Sequence, residues 1–121
     1  FKFYGNLDRN KLVRFWDRHH VGVFPSIYPE AFGISAAEIM ASGLVLISSG
    51  VGGAAELFSD GQDALSFQPS NSRSLFNVFN YLLANSGLFS TLTLHSHRNV
   101  CDNFSVISSC QKLSSLFQTF R

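Results

Sequence analysis

The chain has 121 residues, of which 45% are hydrophobic and 14% charged, and its formal net charge is +1 at pH 7. This length and apolar content suit one globular domain and exclude a disordered tail. The near-neutral charge and the absence of a long basic run argue against nucleic-acid binding. No apolar run is long enough to span a bilayer and no signal peptide opens the chain, so we expect a cytoplasmic protein, with peripheral membrane contact left open for a longer protein.

The cysteines and histidines have no metal-site spacing. Cys101 and Cys110 form no Cys-x-x-Cys pair, so we expect reduced thiols and no bound metal. The four histidines are expected to be structural: His19, His20, His95 and His97.

The apolar pattern predicts strands and helices in alternation. The predicted strands are 2–4, 21–24, 44–48 and 64–67, and the predicted helices are about 10–18, 35–41, 54–58, 72–84, 88–101 and a last one after 105. Strands that alternate with helices across short loops are typical of a doubly wound, Rossmann-like α/β fold with a parallel sheet. Two apolar stripes are expected in the core: Leu75, Phe76, Phe79, Leu82 and Leu83, and Val106, Cys110, Leu113, Phe117 and Phe120.

The most informative segment follows the strand 21–24 and runs into the helix 35–41. Ligands of open α/β sheets bind at the carboxyl ends of the strands, and the free N–H groups at a helix start favour an anion. Gly33 allows a ligand to approach the backbone closely. Glu30 and Glu38 flank this anion site, and carboxylates are good acceptors for sugar hydroxyls. The combination predicts a nucleoside diphosphate sugar as ligand.

The same segment resembles a known family. Residues 29–38, Pro-Glu-Ala-Phe-Gly-Ile-Ser-Ala-Ala-Glu, are similar to the Glu-x7-Glu motif of the retaining GT-B glycosyltransferases of family 4, the glycosyl transferases group 1. The similarity extends over most of the chain, through residues 24–26, 40–43, 52–56 and 103–105. It implies that residues 1–121 are part of the C-terminal nucleotide-sugar-binding domain of such an enzyme, whose N-terminal part lies outside this chain.

The resemblance also implies roles for individual residues. Glu30 is expected to be catalytic and to contact hydroxyls of the donor sugar, and Glu38 to accept hydrogen bonds from the ribose diol. The backbone facing the sugar and diphosphate is expected to be Ala31, Phe32, Gly33 and Ile34. Gly52 and Gly53 form a possible second ligand loop. Family chemistry is hexosyl transfer with retained configuration and without a metal or other cofactor, and no Asp-x-Asp occurs here.

These positions have simpler interpretations too. Ser35 to Glu38 has the pattern of a capping box, in which Glu38 serves the helix start. Glu30 and Glu56 can also be interpreted as solvated surface acids, and Gly52–Gly53 as a flexible turn.

Two functions are therefore predicted. In the first, the chain is the donor-binding part of a retaining glycosyltransferase, whose partners are a nucleotide sugar, an unknown acceptor and an N-terminal GT-B domain or a separate chain supplying it. In the second, the chain is a non-catalytic nucleotide-sugar-binding module that pairs with a partner chain. The second rests on an unpaired sheet edge at residues 2–4, since exposed edges invite partners.

Overall fold

A computed structural model describes residues 1–119. The elements, in chain order, are α1 Arg9–Trp16, β1 Val21–Phe24, α2 Ile34–Ala41, β2 Val45–Ser48, a 3-10 turn Gly53–Glu56, β3 Leu65–Ser66, α3 Ser72–Ala84, α4 Gly87–Phe104 and α5 Val106–Thr119. The predicted alternation is confirmed from α1 onward, and α3 has the predicted bounds.

The strands form a parallel sheet in the order β1-β2-β3. Val21 lies opposite Val45, and Ile47 lies opposite Leu65. All of β2 is buried. Because successive side chains of a strand point to opposite faces, a central strand covered on both faces has a continuous apolar sequence, which explains the run from Leu44 to Ile47.

Two apolar clusters cover the two faces of the sheet. The first consists of Ala36, Ile39, Met40, Leu44, Leu46, Leu57, Ala64 and Val100. The second consists of Val45, Ile47, Leu65, Phe67, Leu82 and Leu92. Helix α4 contributes to both, through Val100 and Leu92. Helix α2 approaches β1 so closely that a Cβ on Gly22 would lie 2.5 Å from the Ile39 side chain. The expected layered α/β architecture is thereby confirmed.

The predicted strand at residues 2–4 is wrong. This segment has no regular secondary structure. The Tyr4 ring instead meets the edge of Phe15 on α1, with ring centroids 4.8 Å apart, and the Lys2 ammonium lies 4.7 Å from the Tyr4 centroid. A strand is stabilised by pairing with a neighbour, and nothing within residues 1–119 pairs with this segment. The sheet edge that motivated the partner-chain hypothesis is therefore not formed there.

The predicted core stripes are correct only in part. On α3, Leu82 is buried and packs with Leu75, Val78 and Phe79, whereas Phe76 and Leu83 are exposed. The observed stripe follows the spacing i, i+3, i+4, i+7 and so covers a single helix face.

The predicted stripe on α5 faces solvent. Val106 is 81% exposed and Phe117 is 73% exposed, and Leu113 and Cys110 are also exposed, while Phe120 lies outside the described residues. Ser108 is the buried residue of α5. Helix α5 packs mainly on α4, and within residues 1–119 it contributes no residue to either core cluster.

A buried polar group fixes α4 against the loop before β3. The Asn99 amide donates to Asp63 Oδ2 at 2.7 Å and to the Leu57 carbonyl at 2.8 Å, and the Ser59 N–H donates to Asp63 Oδ1 at 2.7 Å. His95 and His97 bond the Gln62 and Ala41 carbonyls. These contacts agree with the structural role predicted for the two histidines of α4.

Candidate functional site

The carboxyl ends of β1 and β2 are tied together by Ser49. Its hydroxyl donates to the carbonyls of Ser26 and Phe24, and its N–H donates to the Phe24 carbonyl at 3.1 Å. The loop after β1 is thus held above the sheet edge at which ligands of parallel α/β folds bind.

A cavity of about 290 Å³ lies at the end of β1 and the start of α2. It is lined by Phe24, Glu30, Ala31, Phe32, Gly33, Ile34 and Ser35. Five of these are residues predicted for the donor site, so the structure brings Glu30 and the adjacent backbone together. Phe24 and Ser35 were not among the predicted residues. Phe24 is the last residue of a strand and Ser35 lies in the first turn of the next helix. Positions of this kind line the ligand sites of α/β folds, so both residues could have been found from the sequence.

The Glu30 carboxylate is oriented by a nearby hydroxyl. The Ser26 Oγ–H donates to Glu30 Oε1 at 3.0 Å; Ser26 is half-buried and Glu30 is solvent-exposed. Ser26 is a further site residue that the sequence reasoning missed, although its place at the end of a strand is again the relevant signal. The carboxylate therefore has a preferred orientation and remains accessible from the cavity.

Helix α2 begins without a side-chain cap. Its N-cap is Gly33, in the left-handed region with φ 84°, and no side chain bonds the helix start. The N–H groups of Ala36 and Ala37 donate to the Gly33 carbonyl at 2.9 and 3.2 Å. The amides of Ile34 and Ser35 precede these first intrahelical bonds and have no acceptor in the helix. The capping-box interpretation is wrong, because Ser35 lies inside the helix and does not cap it.

Glu38 lies beside a different cavity. It lines a space of about 160 Å³ between α1 and α2, together with Arg9 and Trp16. Its Oε1 is 3.9 Å from Arg9 Nη2, and the Glu38 side chain is 29% exposed while that of Arg9 is 88% exposed. Glu30 and Glu38 thus flank the start of α2 without sharing a cavity.

Gly52 and Gly53 lie directly beneath the cavity loop. Gly52 forms an isolated parallel bridge with Glu30, and the Gly53 N–H donates to the Glu30 carbonyl at 2.7 Å. A Cβ on Gly52 would lie 2.6 Å from Pro29 Cα, and one on Gly53 would collide with the Ala31 carbonyl. The flexible-turn interpretation is therefore wrong. These glycines support the backbone that carries Glu30, and the Gly53 N–H is engaged within the protein.

The end of α4 also supports the cavity loop. The rings of Phe32 and Phe104 have centroids 5.6 Å apart. Among residues 1–119, no group of three or more His, Cys, Asp or Glu side chains is close enough to hold a metal ion. No helix in this part of the chain is long and apolar enough to cross a membrane.

A family model described as "Glycosyl transferases group 1" matches residues 1–100. The chain belongs to this family. This family member is also 38% identical over 68 residues to a glycogen synthase of Mycobacterium tuberculosis, a match that covers 56% of the chain and 16% of that relative. The resemblance inferred from the residue motifs is thereby confirmed at the level of the family.

Solved structures of larger proteins contain the same fold. Sucrose-phosphate synthase from Thermosynechococcus elongatus matches 98% of the chain with a TM-score of 0.85 and 28% identity. HepE of Anabaena, solved in complex with UDP, matches 88% of the chain with a TM-score of 0.80 and 22% identity. The chain spans 30% of the first protein and 29% of the second. The predicted fold, that of a GT-B C-terminal domain, is confirmed.

Proposed function

We propose that this chain is the donor-binding portion of a retaining hexosyltransferase that uses a nucleoside diphosphate sugar. The acceptor-binding half is supplied by an N-terminal GT-B domain or by a separate chain, in keeping with the chain's small share of the length of its relatives. Membership of the glycosyl transferases group 1 family supports the reaction class.

The observation that carries the proposal is the chemistry of the cavity at the start of α2. Its lining includes Glu30, whose carboxylate accepts from Ser26, and Ile34 and Ser35, whose amides precede the first intrahelical bonds of α2. A carboxylate accepts hydrogen bonds from sugar hydroxyls, and helix-start amides donate to phosphate oxygens. A sugar joined to a diphosphate presents both groups to such a cavity.

Glu38 is proposed to bind the ribose. It lies one helical turn after the free amides, on the side of α2 that faces α1, and its side chain is partly exposed. A ribose attached to a diphosphate at the helix start reaches along α2 toward this carboxylate. The HepE structures hold UDP and UDP-glucose, so uridine is the first base to test.

The proposed catalytic contribution is electrostatic. When the bond between the anomeric carbon and the diphosphate oxygen breaks, negative charge grows on the leaving diphosphate. The amides of Ile34 and Ser35, already oriented by α2, stabilise that charge without reorganising. Glu30 holds the sugar in place through its hydroxyls. The sugar then bonds to the acceptor oxygen with its anomeric configuration retained, the acceptor O–H proton passes to the leaving diphosphate, and no metal is required in this proposal.

The proposal is tested by titrating the full chain with UDP-glucose and with UDP. In Glu30→Gln we expect about tenfold weaker affinity for UDP-glucose and little change for UDP, since a charged hydrogen bond contributes about 1.5–3 kcal/mol. In Glu38→Gln we expect about tenfold weaker affinity for both ligands, because both contain the ribose. Glu56→Gln is the matched control, since Glu56 is an exposed acid outside the cavity.

The two variants separate the parts of the proposal. Unchanged UDP-glucose affinity in Glu30→Gln, with the fold intact by circular dichroism, removes Glu30 from the donor site. Equal losses in all three variants mean a general effect of charge and not a site. A titration series with GDP-glucose and ADP-glucose then identifies the base.

A further inference from the structure

A third cavity, of about 270 Å³, lies on α1. It is lined by Tyr4, Leu7, Lys11, Arg14, Phe15, Arg18 and His19. None of these residues lines the Glu30 cavity or the Glu38 cavity. We call this the α1 groove.

The α1 groove has a cationic rim. Lys11, Arg14 and Arg18 follow at spacings of three and four residues and so lie along one side of α1 and the turn after it. Lys11 pairs with Asp8 at 3.0 Å. For Arg14 and Arg18 the structure shows no acidic partner within residues 1–119. Like charges at this spacing destabilise an isolated helix, so the repulsion is relieved when an anion binds.

The floor of the groove is aromatic and apolar. Phe15 is half-buried, and its ring meets Tyr4 edge-on at 4.8 Å and stacks on His19 at 4.2 Å between centroids. The His19 Nδ1 bonds the Phe15 carbonyl, which directs the opposite edge of the ring, with Nε2, away from the helix. The groove thus combines a flat apolar floor with guanidinium groups that match phosphate geometry.

The charge of the chain is concentrated here. Residues 1–20 contain five of the nine Lys and Arg residues but two of the eight Asp and Glu residues. Although the net charge of the chain is +1, residues 1–20 are therefore net cationic and the remaining residues are net acidic. This asymmetry attracts anions to α1 at moderate ionic strength.

We propose that the α1 groove binds the phosphate group of an amphipathic anion, with Arg14 and Arg18 as the principal ligands and Phe15 beneath its apolar part. Phosphate of this kind comes from a soluble phosphate ester or from a phospholipid headgroup, and both sources present the same chemistry to the arginines. This site is separate from the proposed donor site and does not depend on it.

The test uses the full chain and two double variants of equal charge. Arg14→Gln with Arg18→Gln removes the two groove arginines, while Arg73→Gln with Arg98→Gln removes two exposed arginines on α3 and α4. Binding is measured by calorimetry with phenyl phosphate, a soluble phosphate ester with an apolar part, and by co-sedimentation with phosphatidylcholine vesicles, with and without phosphatidylglycerol. Circular dichroism checks that each variant is folded.

The expected result is that the groove variant loses about tenfold or more in affinity for at least one probe while the control variant keeps its affinity. Loss on phosphatidylglycerol vesicles alone identifies a lipid headgroup, and loss with phenyl phosphate identifies a soluble phosphate ester. Equal losses in both double variants, or no binding of either probe by the unaltered chain, overturn the proposal. Glu30→Gln is expected to leave this binding unchanged, so the outcome is independent of the donor-site experiment.

Discussion

The cavity beside Glu30 depends on two residues that contribute no side chain. Gly52 and Gly53 lie against the backbone of the loop that carries Glu30, and the Gly53 N–H bonds the Glu30 carbonyl. Gly52 also has a φ of 66°, which side-chain-bearing residues adopt at a cost. The backbone of Gly52 and Gly53 thus supports the loop that carries Glu30, and the Ser26 hydroxyl orients the Glu30 carboxylate.

We therefore expect Gly53→Ala to damage stability and donor binding together. Its Cβ collides with the Ala31 carbonyl, so the loop must move. Such overpacking costs about 1–3 kcal/mol. Urea denaturation measures the loss of stability, and titration with UDP-glucose measures the loss of binding.

Gly87→Ala is the matched control for this experiment. Gly87 is the first residue of α4, and a Cβ there has no atom within 4 Å. We expect unchanged or slightly increased stability, since Gly costs about 0.5–1 kcal/mol relative to Ala in a helix. Equal behaviour of the two variants would contradict the support assigned to Gly53.

Helix α1 has little buried surface. It contains no buried residue and packs through half-buried side chains such as Leu12 and Trp16. Its start is fixed by Asp8, whose Oδ1 accepts from the Lys11 N–H at 3.0 Å. That backbone bond, followed by the Lys11 ammonium, lowers the pKa of Asp8 below its ordinary value. The α1 groove depends on this cap, because Lys11 lies in the same turn.

The lowered pKa predicts an acid-sensitive helix. A carboxyl whose folded pKa is below its unfolded pKa adds stability above the unfolded value, about pH 4, and loses it as the pH falls through the folded value. We expect faster hydrogen exchange of the α1 amides below about pH 4, with the α3 amides as internal reference. Asp8→Asn keeps a capping side chain that does not titrate, so exchange of its α1 amides is expected to lose this pH dependence. Asp8→Ala has no capping side chain, so its α1 amides are expected to exchange fast at all pH values. Acid-insensitive exchange in the unaltered chain would contradict this role.

At the scale of the molecule, α4 joins both faces of the sheet. Leu92 is buried in one cluster and Val100 in the other, while Asn99 fixes α4 to Asp63. Among residues 1–119, helix α5 contributes no side chain to either cluster, and its large apolar residues are exposed. Stability should therefore depend on α4 far more than on α5.

The same substitution in both helices tests this difference. Leu92→Ala leaves a cavity in the second cluster and is expected to cost about 2–5 kcal/mol. Leu113→Ala alters a leucine that is 54% exposed, and is expected to change stability by less than about 0.5 kcal/mol. Thermal unfolding of the two variants gives the comparison. A large loss in Leu113→Ala would mean that α5 packs on a core not seen in residues 1–119.

Much of the candidate site was predictable because its signals are local. The strand 21–24, the following turn residues and the helix after Gly33 are adjacent in sequence, so Glu30 and the backbone 31–34 could be assigned to one ligand edge. The positions of Glu38 and Gly53 were less predictable. Glu38 faces α1, and Gly53 faces Ala31, and both relations depend on residues more than twenty positions away.

By itself the sequence determined the alternation of helices and strands, the parallel sheet and the edge at which a ligand is expected, because hydrophobic period and turn chemistry act within a few residues. The tertiary structure decided which predicted apolar faces are buried: Leu82 is in the core, while Phe76 and Phe117 are in solvent. It also decided that residues 2–4 form no strand and that a glycine pair supports the Glu30 loop. Burial and pairing depend on which element lies opposite, and that is a property of the assembled chain.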